Sequence, residues 1–228
     1  MAAQQIMTED TPVANGSVVE SISLVQLGGM NVKNITDVNQ PRAMAVAIDR
    51  QSIIDNSAKA GQTPAQSLTP KGMPGFGQIG THSLPKSAEG MARAKELMKK
   101  VANPKKNVNL FINNSPGHQE IAVAVQSNWQ QLGITTNIKQ QEWAQFLQFL
   151  GPPPDKSVDV YRNGWIGDFV DDINFLQLMT CKSGNNDTNW CDPKFDKLVQ
   201  QAGATPDNDV RYGLYKQAEE MLTGPNGA

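Results

Sequence analysis

The sequence predicts an α/β fold, and three observations carry that expectation. Val108, Leu110 and Ile112 recur with a period of two, and so do Ile134, Thr136 and Ile138. Between them Ile121, Val125, Trp129 and Leu132 recur at helical spacing, and Gly133 supplies a helix stop. Past a short helix over Trp143–Leu150, ended by GPPP, Val158 and Val160 mark a third strand. Strand–helix–strand alternation of this kind builds a sheet through right-handed crossovers, with helices covering it.

The remaining elements follow in order. Val18 to Leu27 reads as an irregular strand. Pro41 suits the first position of a helix, where its missing N–H costs nothing, and Met44 and Ile48 share one face of that helix. Asp49 is placed to cap the next turn, RQSIID. Gln62 to Pro85 is rich in proline and glycine and reads as a long ordered loop or a partner surface. Ser87 caps a helix to about Lys100, with Met91, Ala94, Leu97 and Met98 inward and the pairs Glu89–Arg93 and Glu96–Lys100 outward. Near the end, Asp192-Pro193 starts a helix with Phe195, Leu198, Val199 and Ala202 on one face. Val210, Leu214, Ala218 and Met221 mark the last helix. Trp129 and Trp143 read as core from their helical spacing, whereas Trp165 and Trp190 stand beside loops and fit core or ligand contact equally.

The chain has 228 residues, a net charge of −2 and 39% hydrophobic residues, enough to bury a core of its own. No clustered basic footprint points to nucleic acid. The longest apolar runs, such as Ala43 to Ile48, are too short to span a bilayer. The N-terminus lacks the basic start and apolar stretch of a signal peptide. Cys181 and Cys191 flank a loop-forming stretch, CKSGNNDTNWC. Their spacing suits a disulfide in an oxidising compartment, with two free thiols as the alternative. Zinc is disfavoured, since His82 and His118 are far away in sequence.

No nucleophile–base pair, phosphate loop or metalloprotease motif is present, so neither an enzyme nor a cofactor or metal site is expected. His118 reads as a surface residue in the first turn of its helix. One stretch stands out: NGWIGDFVDDINFLQL, Asn163 to Leu178, where an isolated carboxylate, Asp168, follows an aromatic and a small residue. Asp168 could cap a helix, act as an acid or anchor a positive charge. Asp171 and Asp172, just ahead of an apolar run, suit a helix start.

Seven segments in order together resemble the C-terminal lobe of the dipeptide- and oligopeptide-binding proteins of bacterial ABC importers. They are AMAVAIDRQSIID (Ala43–Asp55), KGMPGFG (Lys71–Gly77), HQEIAVAVQSNWQQLGI (His118–Ile134), QEWAQFL (Gln141–Leu147), GWIGDFVDDINFLQL (Gly164–Leu178), NNDTNWCDPKFDKLVQQA (Asn185–Ala202) and RYGLYKQAEEML (Arg211–Leu222). The cysteine pair looks most like the dipeptide branch. That branch places an arginine for the ligand carboxylate ahead of the Trp129 helix, where this chain reads FINNSPGHQ without one.

The resemblance implies one lobe of a type II periplasmic binding protein-like fold over residues 26–228, with residues 1–25 as a lead-in and the family's first lobe absent. It implies an extracytoplasmic, periplasmic, non-enzymatic receptor that captures peptides for import. The implied partners are a peptide or peptide-like solute, a membrane permease and the missing N-terminal lobe. Asp168 then corresponds to the aspartate that receives the ligand's α-ammonium, with Asn163, Gly164, Trp165 and Gly167 beside it. Other family ligands (glutathione, a nickel chelate, haem) and a docking module that holds no ligand are the alternatives.

Overall fold

The structure is a computed structural model and describes residues 8–9, 24–58, 63–65, 67–76, 87–151 and 154–224. The expected strand from Val18 lies outside those residues as far as residue 23. From Leu24 the chain is extended, and it remains so to Met30.

Six strands form one mixed sheet: β1 (Thr8–Glu9), β2 (Leu24–Met30), β3 (Thr63–Pro64), β4 (Asn107–Asn113), β5 (Thr135–Gln141) and β6 (Val160–Ile166), in the order β3-β1-β2-β6-β4-β5. Strand β4 runs parallel to β5 and β6, while β2 runs antiparallel to β6 from Leu24↔Ile166 to Met30↔Val160. The helices are α1 (Asn39–Val46), α2 (Arg50–Ile53), α3 (Ser87–Met98), α4 (Pro116–Gln130), α5 (Trp143–Leu150), α6 (Ile173–Leu176), α7 (Pro193–Gly203) and α8 (Asn208–Thr223).

Strand β4 shows why the central alternation was legible. Val108, Leu110 and Ile112 are buried on one face of the sheet with Ile121, Val125 and Trp129 of α4 and Ala94 of α3. Phe111 points the other way, into a cluster with Phe146, Leu150, Val158 and Tyr161. Trp129 is fully buried, and its indole N–H donates to the Met44 carbonyl at 2.7 Å, joining α4 to α1. Gly133 takes a φ of 76°, the left-handed conformation that ends the helix and turns the chain into β5. A further cluster gathers α6, α7 and α8 around Phe175, Phe195 and Tyr215, with Leu68 and Met73 from the proline-rich stretch.

Several expectations need correction. Trp143 is 53% exposed, not core. It opens α5, whose anchors are Phe146 and Leu150, and it stacks on Phe146 with ring centroids 5.9 Å apart. Helix α1 starts at Asn39, because the Asp37 carboxylate accepts the Asn39 N–H and sets the turn before Pro41. Glu96 pairs with Lys99 rather than Lys100. Val210 is exposed, and the buried stripe of α8 runs through Tyr215, Ala218, Glu219 and Leu222. An apolar pattern cannot reveal a stripe that includes a glutamate. The capping role of Asp49 is present: its carboxylate accepts the Ser52 N–H at 3.0 Å.

Candidate functional site

Ligand sites in α/β sheets lie beyond the carboxyl ends of the parallel strands, and the Asn163–Asp168 stretch lies there. Strand β6 bonds to β4 only at Val160 and Tyr161, and then parts from it. From Arg162 to Ile166 its sole strand partner among the described residues is β2. Its other edge is therefore open along Asn163, Gly164 and Trp165. The Gly164 N–H is taken by the side-chain oxygen of its neighbour Asn163, at 2.9 Å. An open edge of this kind can accept an extended peptide through main-chain bonds.

Asp168 follows the strand, beyond Gly167. It is exposed, and its carboxylate makes no hydrogen bond or ion pair with any described residue. No helix among the described residues uses it as a cap. That work falls to Asp171, whose Oδ1 accepts the Ile173 N–H at 3.0 Å and the Tyr215 hydroxyl at 2.6 Å. Asp172 was expected to share the helix start, but its side chain makes no cap bond. It is fully buried and instead accepts the Gly75 N–H at 3.1 Å. Burial, opposed by that bond, pushes its carboxyl up to about 6. Around Asp168, Ile166, Phe169 and Val170 leave apolar side chains exposed. Trp165 is half-buried against the α6–α8 cluster, with its indole N–H bonded to Asn174 Oδ1 at 2.8 Å. Trp190 is buried and packs edge-on against Phe195.

Two residues missed as site candidates meet at the same end of the sheet. Arg162 of β6 is 9% exposed, and its Nη1 lies 3.1 Å from Nδ1 of His118, in the first turn of α4. The same imidazole nitrogen meets Asn113 Oδ1 at the end of β4. A guanidinium only donates and an amide oxygen only accepts, so the two contacts ask opposite roles of Nδ1. The Arg162 contact is made by a neutral imidazole with its lone pair on Nδ1, the Asn113 amide then turning its NH2 toward the ring. Burial and the neighbouring guanidinium hold His118 down at about 4, and burial lowers Arg162 to about 10. No carboxylate pairs with Arg162 among the described residues, and its Nε is buried without a partner. The two residues also line a narrow crevice whose other walls are mostly apolar, among them Ile112, Ile121 and Trp129. The helix start that lacks an arginine in its own sequence thus receives one from β6.

Cys181 and Cys191 are bonded, closing the loop between α6 and α7. Asn186 braces that loop from within, donating to the carbonyls of Met179, Thr180 and Trp190. The Thr188 carbonyl accepts the Val32 N–H at 3.0 Å, which ties the loop to the chain after β2. Among the described residues, no cluster of three His, Cys, Asp or Glu side chains could hold a metal, and no helix is long and apolar enough to cross a membrane.

Comparison with known proteins identifies the family. The family described as bacterial extracellular solute-binding proteins, family 5 Middle, matches residues 3–187. The chain is 34% identical over 235 residues to the oligopeptide-binding protein OppA of Bacillus subtilis, covering 97% of this chain and 43% of that protein. It is 27% identical to the dipeptide-binding protein of Escherichia coli, covering 96% of this chain and 43% of that protein. Among solved structures, the unliganded open form of the periplasmic murein tripeptide-binding protein MppA superposes with a TM-score of 0.81 at 26% identity, over 89% of this chain and 40% of that one. Haemophilus influenzae OppA, in complex with the peptide RPPGFSPFR, superposes at 0.82 with 23% identity, over 97% of this chain and 42% of that one, a likeness of fold. The chain spans less than half the length of the relatives it matches.

Proposed function

The chain belongs to the bacterial extracellular solute-binding proteins, family 5, and from that premise we propose that it forms one wall of a receptor that captures peptides by their charged ends. The capture is extracytoplasmic and serves an ABC importer, whose permease receives the loaded receptor. A second lobe supplies the opposite wall.

The observation that carries this reading is the edge of β6 left without a strand partner, with a carboxylate beyond one end and a buried guanidinium at the other, neither of them ion-paired among the described residues. Asp168 takes the ligand's α-ammonium. Asn163, Gly164 and Trp165 offer main-chain groups to the peptide backbone, and neighbouring Gly167 leaves the approach to Asp168 unobstructed by a side chain of its own. Arg162, with His118 beside it, takes a carboxylate, either the ligand's C-terminus or an acidic side chain. A peptide is the ligand class that presents an ammonium, a hydrogen-bonding backbone and a carboxylate in line.

The chemistry is selective without being side-chain specific. Charge-assisted bonds are roughly twice as strong as neutral ones, so the two charges reward free termini. Closure of the second lobe removes the ammonium–carboxylate pair from water. Left exposed, such a pair is worth only about 0–1 kcal/mol, against the roughly 8 kcal/mol of micromolar affinity. Native mass spectrometry of the full-length protein carrying this sequence tests the proposal. Co-purifying peptides with free amino termini support it, and a glutathione, haem or nickel-chelate mass in their place overturns it.

A further inference from the structure

We propose that Asp172 is a positioning residue for the amine anchor: it fixes segment 67–76 behind Gly167, so that Asp168 is presented in one place. The inference rests on the reading of Asp168 as that anchor.

The link begins at Gly167, the residue before Asp168. Its Cα faces two side chains closely, since a Cβ there would meet Phe175 Cζ at 3.3 Å and Met73 Cε at 3.5 Å. Phe175 belongs to α6 and is fixed in the core. Met73 belongs to segment 67–76, which has no regular structure to hold it. Within the segment, single bonds run from Met73 N to Pro70 O and from Phe76 N to Met73 O. Leu68 and Met73 pack into the α6–α8 cluster, and two buried acids bond the segment's backbone to the rest of the molecule. Glu219 of α8 accepts the Leu68 and Thr69 N–H groups at 2.5 and 3.3 Å. Asp172 accepts the Gly75 N–H at 3.1 Å. Met73 lies between these two attachments, so they help set where the back of Gly167 meets its support.

Asp172 is the attachment on the ligand side. It sits four residues past Asp168 in the same turn region, so one short stretch carries both the proposed anchor and the post that steadies it. The fit is close. A Cβ at position 75 would lie 2.0 Å from Asp172 Oδ2, so only glycine lets the segment approach this far. Oδ2 itself is buried with no hydrogen-bond partner among the described residues. The groups facing the carboxyl are Asp171 on its own turn, the Gly75 N–H from the segment, and Arg211, Tyr212 and Tyr215 from α8. Of these, Arg211 and Tyr215 are already engaged with Asp171. Among the described residues no cation forms an ion pair with Asp172; Arg211 acts on it only from a distance. A buried acid kept under those conditions, with one oxygen serving a single backbone N–H, is poor for stability and is explained by what it holds in place.

The test compares dissociation constants for a free-amine tripeptide and its N-acetylated form in the full-length protein, by calorimetry. Their ratio reads how well the amine anchor is presented and cancels any fraction of protein that fails to fold. Asp172→Ala, which removes the acceptor, is expected to lower the ratio about tenfold, the factor one net hydrogen bond is worth. Asp172→Asn keeps a carbonyl oxygen for the Gly75 N–H and is expected to stay within about threefold of wild type. Gly75→Ala attacks the same contact from the segment side, should match Asp172→Ala, and serves in its place if that variant does not fold. A wild-type ratio in Asp172→Ala or Gly75→Ala, or a loss in Asp172→Asn as large as in Asp172→Ala, overturns the inference. Asp168→Asn, measured alongside, separates the two levels: if it leaves the ratio unchanged, the anchor itself is misassigned.

Discussion

Arg162 Nη1 stands 3.1 Å from His118 Nδ1, and no carboxylate completes the pair among the described residues. A buried cation resting on a neutral base is an arrangement that an arriving anion stabilises.

A ligand carboxylate placed on this pair should raise the His118 pKa from about 4 toward the ordinary imidazole range, because it offsets the guanidinium that lowers it. NMR titration of the imidazole with and without a free-carboxylate peptide measures the change. Arg162→Met should weaken binding of that peptide by about 10- to 100-fold, as expected for a charge-assisted contact worth roughly 1.5–3 kcal/mol, and should leave a C-amidated peptide nearly unaffected.

Three buried acids set the expected pH dependence of stability. Burial pushes Asp172 up to about 6, and Asp187 and Glu219 up to about 7. Each folded value lies above the unfolded one, so the folded state binds these protons more tightly. The stabilisation is complete below about pH 4 and is lost as pH rises through 6 to 7. His118 acts in the opposite sense, losing stability as pH falls from 6.5 toward 4. Thermal unfolding should therefore give a higher midpoint at pH 5.5 than at pH 8. Asp187→Asn should flatten that slope and raise Tm at pH 8 by at least about 2–4 °C, the equivalent of 1 kcal/mol in a chain of this size.

Reduction of Cys181–Cys191 should destabilise the fold by roughly 2–3 kcal/mol on the chain-entropy account of short loops. The loop is also braced by Asn186 and tied to Val32, so it should remain largely in place once reduced. Denaturant unfolding with and without a thiol reductant checks both points, with the circular dichroism of Trp190 reporting on the loop.

The two tryptophans taken together as core should separate cleanly. Trp129→Ala removes a fully buried side chain and its bond to Met44, and should cost about 3–5 kcal/mol. Trp143→Ala, at an exposed position beside the carboxyl end of β5, should cost under about 1 kcal/mol. Urea unfolding of both variants measures the difference.

Those tryptophans show where the sequence was legible and where it was not. Helical spacing marks which residues share a face, and it correctly placed Trp129 under the sheet. It cannot say where a face ends, and Trp143 lies past the rim of its own. The strands around α4 were readable because period-two and period-3.6 runs follow one another without a break from Val108 to Ile138. The cysteine loop was readable from spacing and composition. Contacts across long separations were not: His118 meets Arg162 across 44 residues, and Gly75 meets Asp172 across 97. Both need the folded sheet to exist before the residues are neighbours. Asp171 and Asp172 looked alike as helix-start acids, and only packing against Tyr215 on one side and Gly75 on the other gives them different work.

The central claim is that Asp168 anchors a free amino terminus. Its most direct test is calorimetry on the full-length protein with a tripeptide and its N-acetylated counterpart, in wild type and Asp168→Asn. The substitution keeps the size of the side chain and removes its charge. Acetylation should weaken wild-type binding by about 30-fold or more, in line with the roughly 2–5 kcal/mol cost of breaking one partner of a desolvated charge pair, and should make little difference to Asp168→Asn. Equal affinity of the wild-type protein for both peptides would contradict the account.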